Sequence, residues 1–400
     1  MTSVKLLKLR HTKSGQLFET LFLVSPVFIM VIAIFNFVDT KWMLSRFIPI
    51  VSLYCLYFYR KTFIENIKDE RLRPFLVSSL AIFTYFGYFH LTRGDEFGFS
   101  RTLITCIIYA VVVPWHKISR EVIYRMLIIA GITCGLNACY EFFTMHISRV
   151  GIATNPIPYA LYCASMSLSI IYIVATSRGF TRVFGVVGMI FASTALVLTD
   201  VRGIILLFPF VALVILLVIL RGSIKGYLSA FAIIALTLSC SYLVFKDKIE
   251  HRIDFTISEM QIVLDGSRAT SLGARLDLWQ RGIEASKENV LFGIGDQKLR
   301  QEIAAIPNSV AQKQAHFHNQ YVDTLVRYGT TGLLLLAIWI VSPLVSYRTE
   351  TAFSLNFNPV ILGIILITIG AGLTDVPFHH THVVYLFSLF SISVIMTGRT

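Results

Sequence analysis

The sequence predicts an all-α, polytopic integral membrane protein with about twelve transmembrane helices and one long loop between them. Three observations carry this. Hydrophobic residues are 55% of the 400, and the mean hydropathy is +0.70. The 35 Lys and Arg with the 23 Asp and Glu are 14% of the chain, where soluble domains carry about 25%. The apolar residues also gather in runs near the roughly 20 that one helix needs to cross a hydrocarbon core. A soluble domain would lack polar surface, and the same composition excludes a disordered, collagen-like or disulfide-stapled chain.

Spans are expected near 17–38, 42–59, 74–91, 102–116, 121–145, 157–176, 180–199, 203–220, 226–245, 325–346, 358–374 and 382–397. The first follows Lys5, Lys8, Arg10 and Lys13, but its apolar run exceeds the roughly 7–15 residues of a secretory signal, so it is expected to stay as an anchor. Basic residues concentrate in the even-numbered connections: Arg60, Lys61, Lys68, Arg71, Arg73, Lys117, Arg120, Arg178, Arg182, Arg221, Lys225 and Arg348. Positive connections stay cytoplasmic, which puts both termini on that side. The odd-numbered connections hold isolated arginines beside Asp39, Asp95, Glu96, Asp200 and Asp375. Most of the +12 net charge is thus topology information; nucleic-acid binding needs basic residues on one face of a domain and is not expected. Cys55, Cys106, Cys134, Cys139, Cys163 and Cys240 all lie in apolar runs without paired spacing, as small buried hydrophobes do.

The chain divides into helices one to nine (1–245), a long outer loop (246–317) and helices ten to twelve (318–400). In a bacterial inner membrane the loop would face the periplasm. Leu272, Leu276 and Trp279 repeat at helical spacing, so helices on or near the membrane surface are expected, with breaks at Gly293-Ile294-Gly295 and near Pro307. A transporter built of two equal halves would carry its long connection after the sixth span. A loop after the ninth, facing outward, favours an enzyme with a site at the membrane surface.

Arginines on the outer side run against the orientation rule. Arg202, in Thr199-Asp200-Val201-Arg202-Gly203, is either an ion pair with Asp200, a snorkelling side chain, or a fixed anion clamp, for which a planar bidentate guanidinium suits phosphate. Arg268 and Arg275 would share a helical face if the helix is unbroken, with Trp279 a turn beyond Arg275 to stack on it or to anchor at the interface. His316-Phe317-His318-Asn319 opens the tenth span, where two histidines two residues apart on a helix would face different ways. A neutral imidazole there can accept a proton. Arg327-Tyr328-Gly329-Thr330-Thr331-Gly332 marks a helix irregularity. Asp375, His379, His380 and His382 crowd the last outer connection; adjacent residues seldom converge on one ion, and a charge partner for an outer arginine is the better role for Asp375. No P-loop, dinucleotide fingerprint, nucleophile elbow or HExxH occurs, so phosphate binding falls to arginines.

Thr270-Ser271-Leu272-Gly273-Ala274-Arg275-Leu276, then Leu291-Phe292-Gly293-Ile294-Gly295, then His318-Asn319 before Tyr328-Gly329-Thr330-Thr331-Gly332-Leu333, resemble in order the signature of the O-antigen ligase and polymerase superfamily. Arg202 ahead of its apolar run and Gly372-Leu373-Thr374-Asp375-Val376 are similar to further family segments. The resemblance implies a GT-C-like membrane glycosyltransferase, inverting, without metal or cofactor, working at the periplasmic face on two partners, an undecaprenyl-diphosphate-linked O-antigen and lipid A-core. It implies that His318 is the general base and that Arg202 and Arg275 bind the donor diphosphate. Arg149, Asp375, Trp279 and Asn319 are implied substrate-binding residues, while His316, His379, His380 and His382 receive no role. An O-antigen polymerase or a protein O-glycosyltransferase would use the same donor, and a lipid-linked glycan flippase is the reading from another class.

Overall fold

A computed structural model of the protein describes residues 12–220, 246–345 and 358–398, together with 223, 224, 226 and 228. Among them all regular structure is helical: α1 Lys13–Phe28, α2 Lys41–Phe58, α3 Arg60–Lys68, α4 Arg73–Arg93, α5 Gly98–Val112, α6 Arg120–Cys139, α7 Pro156–Thr176, α8 Gly179–Leu198, α9 Arg202–Ile219, α10 Lys246–Leu264, α11 Ser271–Ser286, α12 Gly295–Ala304, α13 Ser309–Gln312, α14 Gln320–Val345, α15 Pro359–Gly372 and α16 Thr381–Thr397. Short π turns extend α1 over Ile29–Ala33 and α6 over Tyr140–Thr144. Several starts carry their own cap. Thr12, Asn155, Thr270, Asn308 and Asn358 each accept a backbone N–H of the following turn, and Pro156 and Pro359 take first-turn places where no N–H is needed.

Every segment read as a span coincides with a helix except 226–245, which lies outside the described residues but for 226 and 228. Lys5, Lys8, Arg10, Arg221, Lys225, Arg348 and Cys240 also lie outside them. Seven helices are long and apolar enough to cross a membrane, or eight if α2 and α3, bent by 104°, count as one. The segments at α5, α15 and α16 fall short of the expected twelve-span pattern. They have 15, 14 and 17 residues, so at about 1.5 Å per residue they reach well under the roughly 30 Å of a hydrocarbon core. Large apolar side chains such as Phe18, Leu91 and Phe180 are mostly exposed, a surface suited to lipid. Inside, α6 and α8 meet through glycines: a Cβ on Gly131 would lie 2.8 Å from the Gly188 carbonyl oxygen. Cys55, Cys106, Cys134 and Cys163 are buried free thiols, as their apolar setting predicts.

The segment before α14 folds around a small core of its own, from Ala274, Leu278, Leu299, Ile303, Ile306, Ala311, Phe317 and Val326. This corrects two expectations, on Arg268 and on the two histidines. The helix expected from Leu272, Leu276 and Trp279 is present as α11; those three are half-buried, and the face that packs inward is Ala274, Leu278, Gly282 and Ala285. Arg268 is not on that helix; it precedes the Thr270 cap, pairs with Asp277 at 2.6 Å and stands away from Arg275's face. His316 and His318 do not open a helix either, since α14 begins at Gln320, capped by Asn319.

The irregularity expected at Gly329 is a true break. Its φ of 68° and ψ of −170° interrupt α14, and the freed groups pair with the loop ahead of α12: the Thr330 N–H donates to Val290 O at 2.8 Å and the Ile294 N–H to Val326 O at 2.7 Å. The backbones approach so closely that a Cβ on Gly329 would sit 2.3 Å from Leu291, and on Gly293, also left-handed, 2.5 Å from Arg327. Arg93 adds hydrogen bonds to the carbonyls of Phe292, Gly293 and Arg327, and pairs with buried Asp95 at 2.8 Å. Buried Arg327 then joins Asp296 of α12 to Asp323 of its own helix.

Removing Arg327 strands two buried carboxylates. Arg327→Ala is therefore expected to cost about 3–5 kcal/mol, read as a lower melting temperature of the purified protein and faster proteolysis between α11 and α14.

Candidate functional site

Six connections and helix ends converge at one end of the bundle. The turn carrying Arg149 is held by Glu141, a buried carboxylate that accepts the Gly151 N–H at 2.5 Å and the Ile152 N–H at 3.3 Å. The Val150 N–H reaches Leu198 O at 3.4 Å, which brings that turn beside the Thr199–Arg202 connection. Gly203 in turn packs on Thr374, where an added Cβ would meet Thr374 Oγ1 at 2.8 Å. Arg202 and Asp375 thus come from touching segments.

Of the readings open for Arg202, the structure supplies a different acid from the one expected. Its Nη1 donates to Glu259 Oε2 at 3.0 Å and to Thr256 Oγ1 at 2.8 Å, and its guanidinium lies 5.4 Å from the Phe255 ring centroid. Glu259 is buried on α10. Phe255, Thr256 and Glu259 sit at i, i+1 and i+4, one face of a helix, and that spacing was the available signal for them.

Arg275 projects from α11 into the same charge field. Among the described residues it makes no hydrogen bond or ion pair, yet it feels Asp375 and Glu259 as attractive neighbours and Arg202 and Arg149 as repulsive ones. Burial, with the two arginines, pushes its guanidinium below the ordinary value against the pull of the acids. Such a group gains from any further anion brought to it. Trp279 does not stack on Arg275; its indole N–H donates to the His318 carbonyl at 3.3 Å.

His318 adopts a left-handed backbone, φ 49°, between Asn319, the cap of α14, and Phe317, whose N–H donates to Asp323 Oδ1 at 3.2 Å. This bend places His316 and His318 with ring centroids 4.4 Å apart, a convergence that helical spacing would forbid. His318 Nδ1 lies 3.0 Å from Asp375 Oδ1, and Nε2 lies 2.8 Å from Gln314 Oε1. The Gln314 amide is oriented by its own donation to Val310 O at 3.0 Å, so both imidazole nitrogens face acceptors. An imidazolium satisfies both; a neutral ring turns one lone pair toward an oxygen.

Asp375 is held against α14 by its flanks: Asn319 Nδ2 donates to Leu373 O at 3.3 Å, the Phe378 N–H donates to Gln320 Oε1 at 3.0 Å, and Tyr321 Oη donates to Ile369 O at 2.7 Å. Burial pushes the Asp375 carboxyl up, but the His318 hydrogen bond and the surrounding His316, His318 and His380 outweigh it and hold it below the ordinary value. Its Oδ2 is buried without a hydrogen bond. Burial pushes His316 down to about 3, keeping it neutral, and holds His379 and His380 below the ordinary value as well. His379 leans toward Glu96 at 3.6 Å, and His382 packs its ring near Phe35.

The structure thus brings Arg202, Arg275, His318, Asp375 and Trp279 to one place, with exposed Arg149 at its electrostatic edge. Asn319 serves there as cap and tether. Sequence reasoning missed Glu259, Gln314 and the juxtaposition of His316. If the cationic pocket takes phosphates, Arg275→Ala is expected to weaken inorganic pyrophosphate binding by about 1.5–3 kcal/mol, the worth of a charged hydrogen bond. Glu259→Gln should tighten it by freeing Arg202; calorimetry on the purified protein reads both.

Residues 187–337 match a family model described as O-antigen ligase, a range that includes Arg202, Arg275 and His318 and ends before Asp375. An uncharacterized protein of Haemophilus influenzae is 29% identical over 217 residues, an alignment covering 50% of this chain and 51% of that protein, so the chain spans about half the length of that relative. The O-antigen ligase of Escherichia coli strain K12 is 23% identical over 405 residues, covering 94% of this chain and 93% of that protein.

Proposed function

Proceeding from the O-antigen ligase superfamily, which the family match and the Escherichia coli relative support for this multi-pass membrane protein, we propose that it is an O-antigen ligase. It moves O-antigen polysaccharide from undecaprenyl diphosphate to the lipid A-core oligosaccharide at the periplasmic face of the inner membrane. The observation that carries the reading is the meeting of Arg275 and Arg202 with the His318–Asp375 pair. Similarity to a protein described as a ligase along nearly the whole chain favours this over a polymerase or a protein O-glycosyltransferase, which would share the donor.

In this reading a core hydroxyl displaces Gln314 from His318 Nε2. The imidazole, with its Nδ1–H on Asp375, takes the hydroxyl proton as the oxygen attacks the anomeric carbon from the face opposite the leaving group. The new glycosidic C–O bond forms, the bond from that carbon to the diphosphate oxygen breaks, and its electron pair leaves with undecaprenyl diphosphate. Anomeric configuration inverts. Asp375 stabilises the imidazolium so formed, as a buried carboxylate behind a general base does. Arg275 and Arg202 meet the charge that gathers on the departing diphosphate, a stabilisation larger in the transition state than in the ground state. Glu259 holds Arg202 in place until the donor exchanges for it. With guanidinium groups in this role, no metal ion is required.

His318→Ala is expected to lower transfer by roughly 10²–10⁴-fold at equal protein level, with lipid-linked polymer of normal length accumulating while lipid A-core stays unmodified. Full transfer by that variant removes His318 as the base. Arg275→Lys should fall well below wild type because an ammonium lacks the bidentate fork. Transfer should persist in excess chelator; a strict Mg²⁺ requirement overturns diphosphate binding by arginine alone. Shortened polymer in place of unligated polymer would identify a polymerase.

A further inference from the structure

We propose that His318, Asp375 and His316 form a binding site for one divalent transition-metal ion of the zinc class. One donor atom from each lies within 4.8 Å of the others; tetrahedral zinc, with bonds of about 2.0–2.2 Å, sets its donors about 3.3–3.6 Å apart, so the widest pair closes by at most about 1.5 Å on binding. His318 Nδ1 and Asp375 Oδ1 are already 3.0 Å apart, and His316 Nε2 is 3.9 Å from the same oxygen.

The hydrogen bonding points the same way. Gln314, locked by Val310, offers His318 Nε2 an acceptor. A cation taken by Nδ1 replaces the hydrogen bond to Asp375, and the imidazole proton moves to Nε2, where the Gln314 oxygen accepts it. A ligating histidine characteristically donates its other N–H to an oxygen behind it. Asp375 also has a buried Oδ2 with no hydrogen bond, free to make the carboxylate bidentate. His316 is buried, and coordination through Nε2 moves its proton to Nδ1 at the expense of the 3.2 Å contact from the His318 N–H. Each imidazole keeps one proton, so nothing is oxidised and no proton is released from the neutral site. The dication is set against Asp375, with Arg275 opposing it electrostatically.

A filled site fixes the Nε2–H form of His318, which has no lone pair for a hydroxyl proton. Inhibition by the metal is the consequence, and that part rests on the base role given to His318 above. The test uses tag-free full-length protein, stripped with chelator and titrated with Co²⁺, whose visible spectrum reports coordination geometry, and with Zn²⁺ in competition. One equivalent should bind, and His316→Gln and Asp375→Asn should abolish it. Gln314→Ala should weaken it by roughly 10–100-fold, as loss of a residue behind a ligand does. His251→Ala, on the exposed face of α10, should leave it unchanged. Melting curves establish which variants fold, and Gln314→Ala decides the matter if Asp375→Asn does not. Co²⁺ binding indifferent to His316→Gln and Gln314→Ala overturns the site, whatever the activity. Zn²⁺ should also stop transfer, with chelator restoring it; a filled site with undiminished transfer instead keeps the metal site and removes His318 as the base.

Discussion

Arg327 is the residue on which the arrangement of this protein hangs. A guanidinium buried in the bundle is tolerable only between carboxylates, and its partners come from two places: Asp296 on the outer helix α12 and Asp323 one turn back on α14. Asp296 accepts the Glu96 N–H, while Asp95 accepts the Asp296 N–H and pairs with Arg93. Arg93 in turn binds the carbonyls at the Gly329 break. The same Asp323 accepts the Phe317 N–H, between the two site histidines. Fixing one buried charge therefore seats the α11–α12 segment on α4 and α14 and sets the bend at His318.

From that seat the rest of the site follows by short tethers. Asn319, Gln320 and Tyr321, in the first turn of α14, each hold the 369–378 stretch, so Asp375 cannot drift from His318. Trp279 holds the His318 carbonyl from α11, which ties the helix bearing Arg275 to His318. The cationic side of the site is left under-neutralised. Glu259 serves Arg202, and among the described residues Arg275 has acids near it but none in contact. The diphosphate of the proposed donor would complete such a pocket.

Much of this was legible in the chain. Hydropathy marked the helices because burial in lipid demands uninterrupted apolar runs and internally paired backbone. Gly329 was readable as a break because its neighbours, Arg327 to Gly332, are poor helix formers at a polar mouth. Arg202 stood out as a costly charge near membrane depth, and Arg275 and His318 by resemblance. Other features were not legible. The pairing of Arg202 with Glu259, 57 residues away, depends on where α10 brings Glu259 to the start of α9, and local spacing carries no record of that. The spacing of Leu272, Leu276 and Trp279 marked the helix α11 but not which of its faces packs inward, where Ala274, Gly282 and Ala285 join Leu278.

The two histidines mark the boundary most clearly. Residue types alone mark this chain as a helical membrane protein with arginines and histidines beside its apolar runs, because the cost of placing charge near hydrocarbon is local and large. Whether His316 and His318 diverge or meet is not local. A helix would have turned them apart; the pull of Asp323 on Phe317 and the cap at Asn319 bend the chain so that they meet over Asp375. Those partners lie up to 57 residues apart, and only folding brings their hydrogen bonds within reach.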